Sequence, residues 1–142
     1  MTGPGEALPA LVYDDAKAAV VFFARAFGFT PGMLVGSGDL VLRAELMWKG
    51  RGVVVVEASS AATAEGAGSV SLVVDSPEEV DALHARAVAA GARDVLAPCG
   101  AEDGSRRCQV ADPEGVLWSF AAQSPQILAT PQPPPLAQAS AE

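Results

Sequence analysis

The chain has 142 residues, 50% of them hydrophobic, and 17 acidic against 9 basic side chains give it a net charge of -8. That length suits one domain, or two half-size units, with ample apolar material for a core. The negative balance repels a phosphate backbone, so no nucleic-acid partner is expected. No apolar run reaches the length of a membrane span, and MTGPGEALPA lacks the basic and hydrophobic segments of a secretion signal. The expected address is therefore the cytoplasm, with no membrane partner. Cys99 and Cys108 stand in no metal-ligand spacing and read as reduced, structural residues.

Residues 1–6 bear Gly and Pro and are expected to be loose. Leu8 to Tyr13 reads as a strand, with Pro9 near its start, where a missing N–H is tolerated. Asp14 or Asp15 caps a helix from Ala16 to Phe27, which places Ala16, Val20, Phe23, Ala24 and Phe27 on one face; Gly28 ends it. Phe29 to Gly38 is weakly patterned, with a short strand through Met33, Leu34 and Val35. Asp39 to Trp48 is a strand, Lys49-Gly50-Arg51-Gly52 a turn, and Val53 to Ala58 a further strand. Residues 59–68, SSAATAEGAG, have the small polar composition of a linker.

The order then begins again. Ser69 to Val74 is a strand, and Ser76, Pro77 and Glu79 form a capping signature for a helix that runs to Ala90 and stops at Gly91. Arg93 to Pro98, Arg106 to Ala111 and Val116 to Ala122 supply three strands. In the Asp112-Pro113-Glu114-Gly115 turn, Pro presets φ and Gly closes the reversal, so the last two strands form a hairpin. Val116, Trp118 and Phe120 then share one face, on which a helix is expected to pack, while Leu117, Ser119 and Ala121 share the other. Asp14 and Ala24-Arg25-Ala26 stand at one common separation from Asp75 and Ala85-Arg86-Ala87, which points to an internal duplication. The expected class is α+β, with a first βαβββ unit over 7–58 and a second over 69–123. The Pro-rich end, 124–142, is too poor in large apolar residues to fold alone and is expected to be a disordered tail.

The tandem units, FFARAFGF closing the first helix, RAELMWKGRGVVVVE in the first unit and VADPEGVLWSF at the end together resemble one family. It is the vicinal oxygen chelate superfamily, also called the glyoxalase/bleomycin-resistance/dioxygenase family, and the resemblance leans to its PhnB-like branch. It covers Ala7 to Gln123 and implies a cup-shaped, curved mixed sheet with helices outside, a ligand cavity inside, and a homodimer. The family's metalloenzymes hold a divalent ion with four inward side chains, usually His and Glu. The matching positions here are Leu8, Glu57, Ser69 and Ser119, of which only Glu57 is a competent ligand. Arg43 stands where the PhnB-like branch carries a His two residues before its Glu, here Glu45.

The resemblance thus implies no metal, no cofactor and no catalytic residue, and a small organic ligand as partner. The candidate ligand-binding residues are Arg43, Glu45, Met47, Glu57, Ser69 and Ser119, with apolar walls from Val41, Val53, Val55 and Leu117. Two rival readings stand beside this one: a divalent-metal lyase, isomerase or dioxygenase, and a dimerisation module whose cup is filled by its own side chains. Arg43 and Glu45 share a strand face, as a surface ion pair or as polar contacts in a cavity. Glu57 ends a VVVVE run, as the first solvated residue or as a ligand contact. Of Arg106 and Arg107, one faces inward. His84, the single histidine, lies mid-helix on the outside.

Overall fold

A computed structural model describes residues 7–59, 68–102 and 104–122 of the chain. In order these form β1 (Ala10–Tyr13), α1 (Ala16–Phe27), β2 (Thr30–Ser37), β3 (Leu40–Trp48) and β4 (Arg51–Ala58). A second set follows: β5 (Ser69–Val74), α2 (Pro77–Ala89), β6 (Arg93–Gly100), β7 (Arg106–Ala111) and β8 (Leu117–Ala122). The expected loose start at 1–6, the linker apart from Ser59 and Gly68, and the tail lie outside the described residues.

The α+β fold with two tandem βαβββ units is present, and its strands are divided between two four-stranded sheets. Their orders are β1-β4-β3-β2 and β5-β8-β7-β6, with no closed barrel. In each sheet the first strand of the unit pairs parallel to the last, and the remaining neighbours are antiparallel. The same wiring in both halves is the structural form of the duplication.

Local signals account for the helix ends. Asp15 accepts from the Ala18 N–H at 3.0 Å, and Gly28, at φ 79, sends its own N–H back to the Ala24 carbonyl. Ser76 accepts from the Glu79 N–H, while the Glu79 carboxylate reaches back to the Asp75 N–H at 3.0 Å, one residue beyond the usual capping box.

Two expectations change. β2 is a full strand of eight residues rather than a short segment, because β3 recruits it by backbone pairing. All eight residues are exposed, so the apolar alternation that would have marked the strand has no reason to exist. The buried face of α1 is Ala16, Ala19, Phe22, Phe23, Ala26 and Phe27, whereas Val20 is half-buried and Ala24 exposed. The stripe is displaced because α1 packs both on its own sheet and on the second unit.

Phe23 lies 5.0 Å from the Trp118 ring centre, and Phe27 lies 5.0 Å from that of Phe120. α2 packs on the β7–β8 hairpin from within the second unit, and the Phe23 and Phe27 rings of α1 reach the same Trp118 and Phe120 face from the opposite unit, so one continuous core joins the two halves. Polar contacts fasten the same junction. The Glu114 carboxylate, in the β7–β8 turn, accepts from the Asp14 and Asp15 N–H groups at the start of α1, at 2.8 and 3.0 Å. Reciprocally, Lys49 in the β3–β4 turn donates to Asp75 at 2.8 Å and to Glu79 at the start of α2. Arg86 of α2 donates to the Arg25 and Ala24 carbonyls at the end of α1.

Asp112 is the one buried charged residue described. One of its oxygens accepts from the Glu114 and Val116 N–H groups, each at 3.0 Å. The other accepts from the Trp118 indole at 3.1 Å and from the Tyr13 hydroxyl of the first unit. Four donors on one carboxylate offset its loss of water.

Candidate ligand-binding faces

With the helices covering one face of each sheet, strand alternation leaves the other face open. On the first sheet that face carries Arg43, Glu45 and Met47 from β3, and Val55 and Glu57 from β4, whereas Val53, expected as a wall, joins the core cluster and Val41 packs against it, each beside an irregularity in the ladder. The register sets Arg43 directly opposite Glu57, and Arg43 Nη1 lies 2.7 Å from Glu57 Oε2. The ion-pair partner of Arg43 is thus Glu57 across the ladder rather than Glu45 along the strand. Directly opposed side chains are about 5 Å apart at Cβ, closer than residues two apart on one strand. Both members are partly exposed, at 44% and 36%.

The open face of the second sheet holds Ser69, Ser71 and Val73 from β5, Arg107 and Gln109 from β7, and Leu117, Ser119 and Ala121 from β8. Ser119 is opposed by Ser71 on one side and by Gln109 on the other, and the Gln109 amide donates to the Ser119 hydroxyl oxygen at 2.9 Å. A trough of about 340 Å³ runs over this face, lined among others by Ser71, Val73, Leu96, Arg107, Gln109 and Ser119. Ser69 shares the face but lies beyond the trough. Arg107 is the inward arginine; Arg106 turns to the helix side, where its Nε meets Asp81 at 2.7 Å.

The six candidates therefore divide between the sheets: Arg43, Glu45, Met47 and Glu57 on the first, Ser69 and Ser119 on the second. No strand of one sheet pairs with a strand of the other, so the chain gathers the candidates on two faces rather than on one. Gln109 and Ser71 were missed as candidates, and the choice between Arg106 and Arg107 as the inward arginine was left open, although the hairpin register contained the signal for Arg107 and Gln109. With Trp118 opposite Val110, Cys108 and Val110 must face the helices, and Arg107 and Gln109 must join Ser119.

The remaining reactive groups point elsewhere: the Cys108 side chain turns to the helix side, although the residue lines the trough. His84 Nε2 is 2.9 Å from Asp94 Oδ1 on the α2 side of the second sheet. Burial, followed by the contact with Asp112, holds the Tyr13 phenol far above its usual value. Burial also pushes the Cys108 thiol up to about 11, which keeps it protonated at neutral pH. Cys99 and Cys108 are both free.

Over residues 7–120 the sequence matches the model of the Glyoxalase/Bleomycin resistance protein/Dioxygenase superfamily. The chain belongs to this superfamily. Its structure is similar to that of TioX from Micromonospora sp. ML1, with 28% identity and a TM-score of 0.71 over 83% of this chain and 98% of that one. A glyoxalase-related enzyme from Fulvimarina pelagi is 22% identical, with a TM-score of 0.66 over 84% of this chain and 88% of that one. A lactoylglutathione lyase from Agrobacterium tumefaciens is 18% identical, with a TM-score of 0.66 over 87% and 97%. At those identities the last two share the fold alone. No curated protein sequence matches the chain.

The divalent ion of the family's metalloenzymes does not fit the donor set at the matching positions. Leu8 has no donor atom, the Glu57 carboxylate is engaged by the Arg43 guanidinium, and the Ser119 oxygen accepts from Gln109. A fixed positive charge stands where a cation would need to approach Glu57. Among the described residues, no group of three or more His, Cys, Asp or Glu is placed to hold a metal ion. No described helix is long and apolar enough to cross a membrane.

Proposed function

We propose that this superfamily member is a metal-free binding protein that sequesters a small organic molecule on the open faces of its sheets. The observation that carries the reading is the trough of about 340 Å³, whose lining has apolar and hydrogen-bonding groups but no carboxylate or imidazole. It can hold and orient a ligand; it offers no side chain poised to move a proton at neutral pH. On the first sheet, Arg43, Glu45, Met47 and Glu57 supply polar and thioether contacts beside the Val55 wall. On the second, Ser119 contacts the ligand, and Ser69 stands on the same face beyond the trough.

A metal-dependent lyase, isomerase or dioxygenase would need ligands that Leu8, Ser69 and Ser119 do not supply. A module with a self-filled cup would leave no trough. Within the superfamily we place the chain beside the PhnB-like branch, on Glu45 and the order of its motifs. The working form is a cytoplasmic homodimer: β2 is an edge strand, and Met33, Leu34 and Val35 are 38%, 56% and 45% exposed on it. A partner covering such an edge removes both the unpaired backbone and the apolar surface.

The test has two arms. Purified protein is incubated with Zn, Ni, Mn or Fe(II), desalted and assayed for metal by elemental mass spectrometry, with far less than one equivalent expected. A thermal-shift screen of small organic molecules is expected to find ligands that raise the midpoint of the metal-free protein. A retained stoichiometric ion, or a screen without a stabilising compound, overturns the reading.

A further inference from the structure

The trough of the second sheet carries a charge that the protein does not neutralise. Lys17, Arg43, Lys49 and Arg106 each meet a carboxylate, and Arg86 is spent on helix carbonyls. Arg107 lines the trough, and among the described residues its guanidinium has no carboxylate partner. Arg25, Arg51 and Arg93 likewise meet no carboxylate among the described residues, but of the nine cations only Arg107 lines the trough.

The neighbouring groups point the same way. Gln109 donates to the Ser119 oxygen, so the Ser119 hydroxyl proton is directed away from Gln109 and is available to a ligand. The Ser71 hydroxyl stands beside it in register. Val73, Leu96 and Ala121 supply apolar wall, and no acidic residue lines the space. One guanidinium and a pair of hydroxyl donors match a single anionic head group, whereas a polyphosphate would need several cations. A volume of about 340 Å³ sits at the small end of ligand pockets, which run from about 300 to 1,000 Å³.

We infer that the trough takes a small organic monoanion, with a carboxylate or sulfonate on Arg107 and an apolar body along Val73, Leu96 and Ala121. The inference rests on the binding-protein reading and adds to it the charge class of the ligand and the residue that selects it.

Two matched fluorescent probes separate the two claims: 8-anilinonaphthalene-1-sulfonate and its uncharged parent, N-phenyl-1-naphthylamine. Each is titrated into the full chain and into the Arg107→Gln, Arg107→Lys and Arg51→Gln variants. Arg51, at the exposed start of β4 on the other sheet, controls for loss of one positive charge. Wild type is expected to bind the sulfonate more tightly than the neutral probe. Arg107→Gln should weaken the sulfonate about tenfold or more and change the neutral probe by less than about twofold, with Arg107→Lys in between. Arg51→Gln should leave both unchanged. If both probes bind and Arg107→Gln alters neither, or if Arg51→Gln has an equal effect, the anion assignment falls while the binding reading stands. If neither probe binds, both fall.

Discussion

Replacing Asp112 by Asn changes one atom at the point where the two units are tied together. In wild type, Oδ1 accepts two backbone N–H groups and Oδ2 accepts the Trp118 indole and the Tyr13 hydroxyl. An Asn that keeps its carbonyl on the two backbone groups turns its NH₂ towards the indole, donor against donor. The Tyr13 hydroxyl can rotate to accept, but the Trp118 N–H is left buried without a partner, since Trp118 is fully buried. The alternative amide orientation instead orphans two backbone N–H groups. An unsatisfied buried donor costs about 1–3 kcal/mol, and losing charge-assisted bonds adds to this, so Asp112→Asn should cost about 2–4 kcal/mol. Tyr13→Phe alone, which leaves three donors on the carboxylate, should cost about 1–2 kcal/mol. Because both changes act on one network, the double variant should lose less than the sum by at least about 1 kcal/mol. Urea denaturation followed by tryptophan fluorescence reads all four proteins. An Asp112→Asn variant within about 0.5 kcal/mol of wild type, or strict additivity with Tyr13→Phe, would refute the view that this carboxylate holds the units in register.

Cys108 makes stability fall at alkaline pH. Its folded pKa, raised by burial from 9.0 to about 11, exceeds that of the unfolded thiol, so the unfolded state releases the proton first. The contribution is intact below about pH 9 and is lost as pH rises towards 11, a total of about 2–3 kcal/mol. The stability gap between wild type and Cys108→Ala should shrink by that amount over this window, measured as urea midpoints; a constant gap would contradict it. At Gly36, an added Cβ would lie 2.0 Å from the Leu40 carbonyl oxygen, a backbone atom across the β2–β3 hairpin. Gly36→Ala should therefore cost about 3 kcal/mol. At Gly38, with φ 59 and open space, Ala meets only the left-handed backbone penalty of about 1 kcal/mol. Equal losses for the two variants would show that the hairpin yields to the clash.

The order of elements was legible because each is written in local terms. Ser76-Pro77 and Asp15 announce helix starts, Gly28 announces an end, and the DPEG turn fixes which residues of β8 face together. The same turn placed Trp118 and Phe120 on a helix-bearing face. Less legible were the elements whose environment comes from elsewhere in the chain. β2 has no buried face to leave a pattern, and the stripe on α1 is set by two layers rather than one. Among the candidate residues, Arg43 and Glu57 could be placed on one face from alternation, but their pairing depended on the β3–β4 register.

The sequence by itself determined two βαβββ units, their helix caps and the closing hairpin, since all of these follow from short-range spacing and turn chemistry. Only the tertiary structure decided that aromatic side chains of the first unit's helix reach the second unit's tryptophan, that Glu57 is taken up by Arg43, and that a trough opens over the face that Arg107 shares with Ser119. Those outcomes depend on contacts between residues far apart in the chain. Packing, register and charge pairing settle there together, and no local pattern records the result.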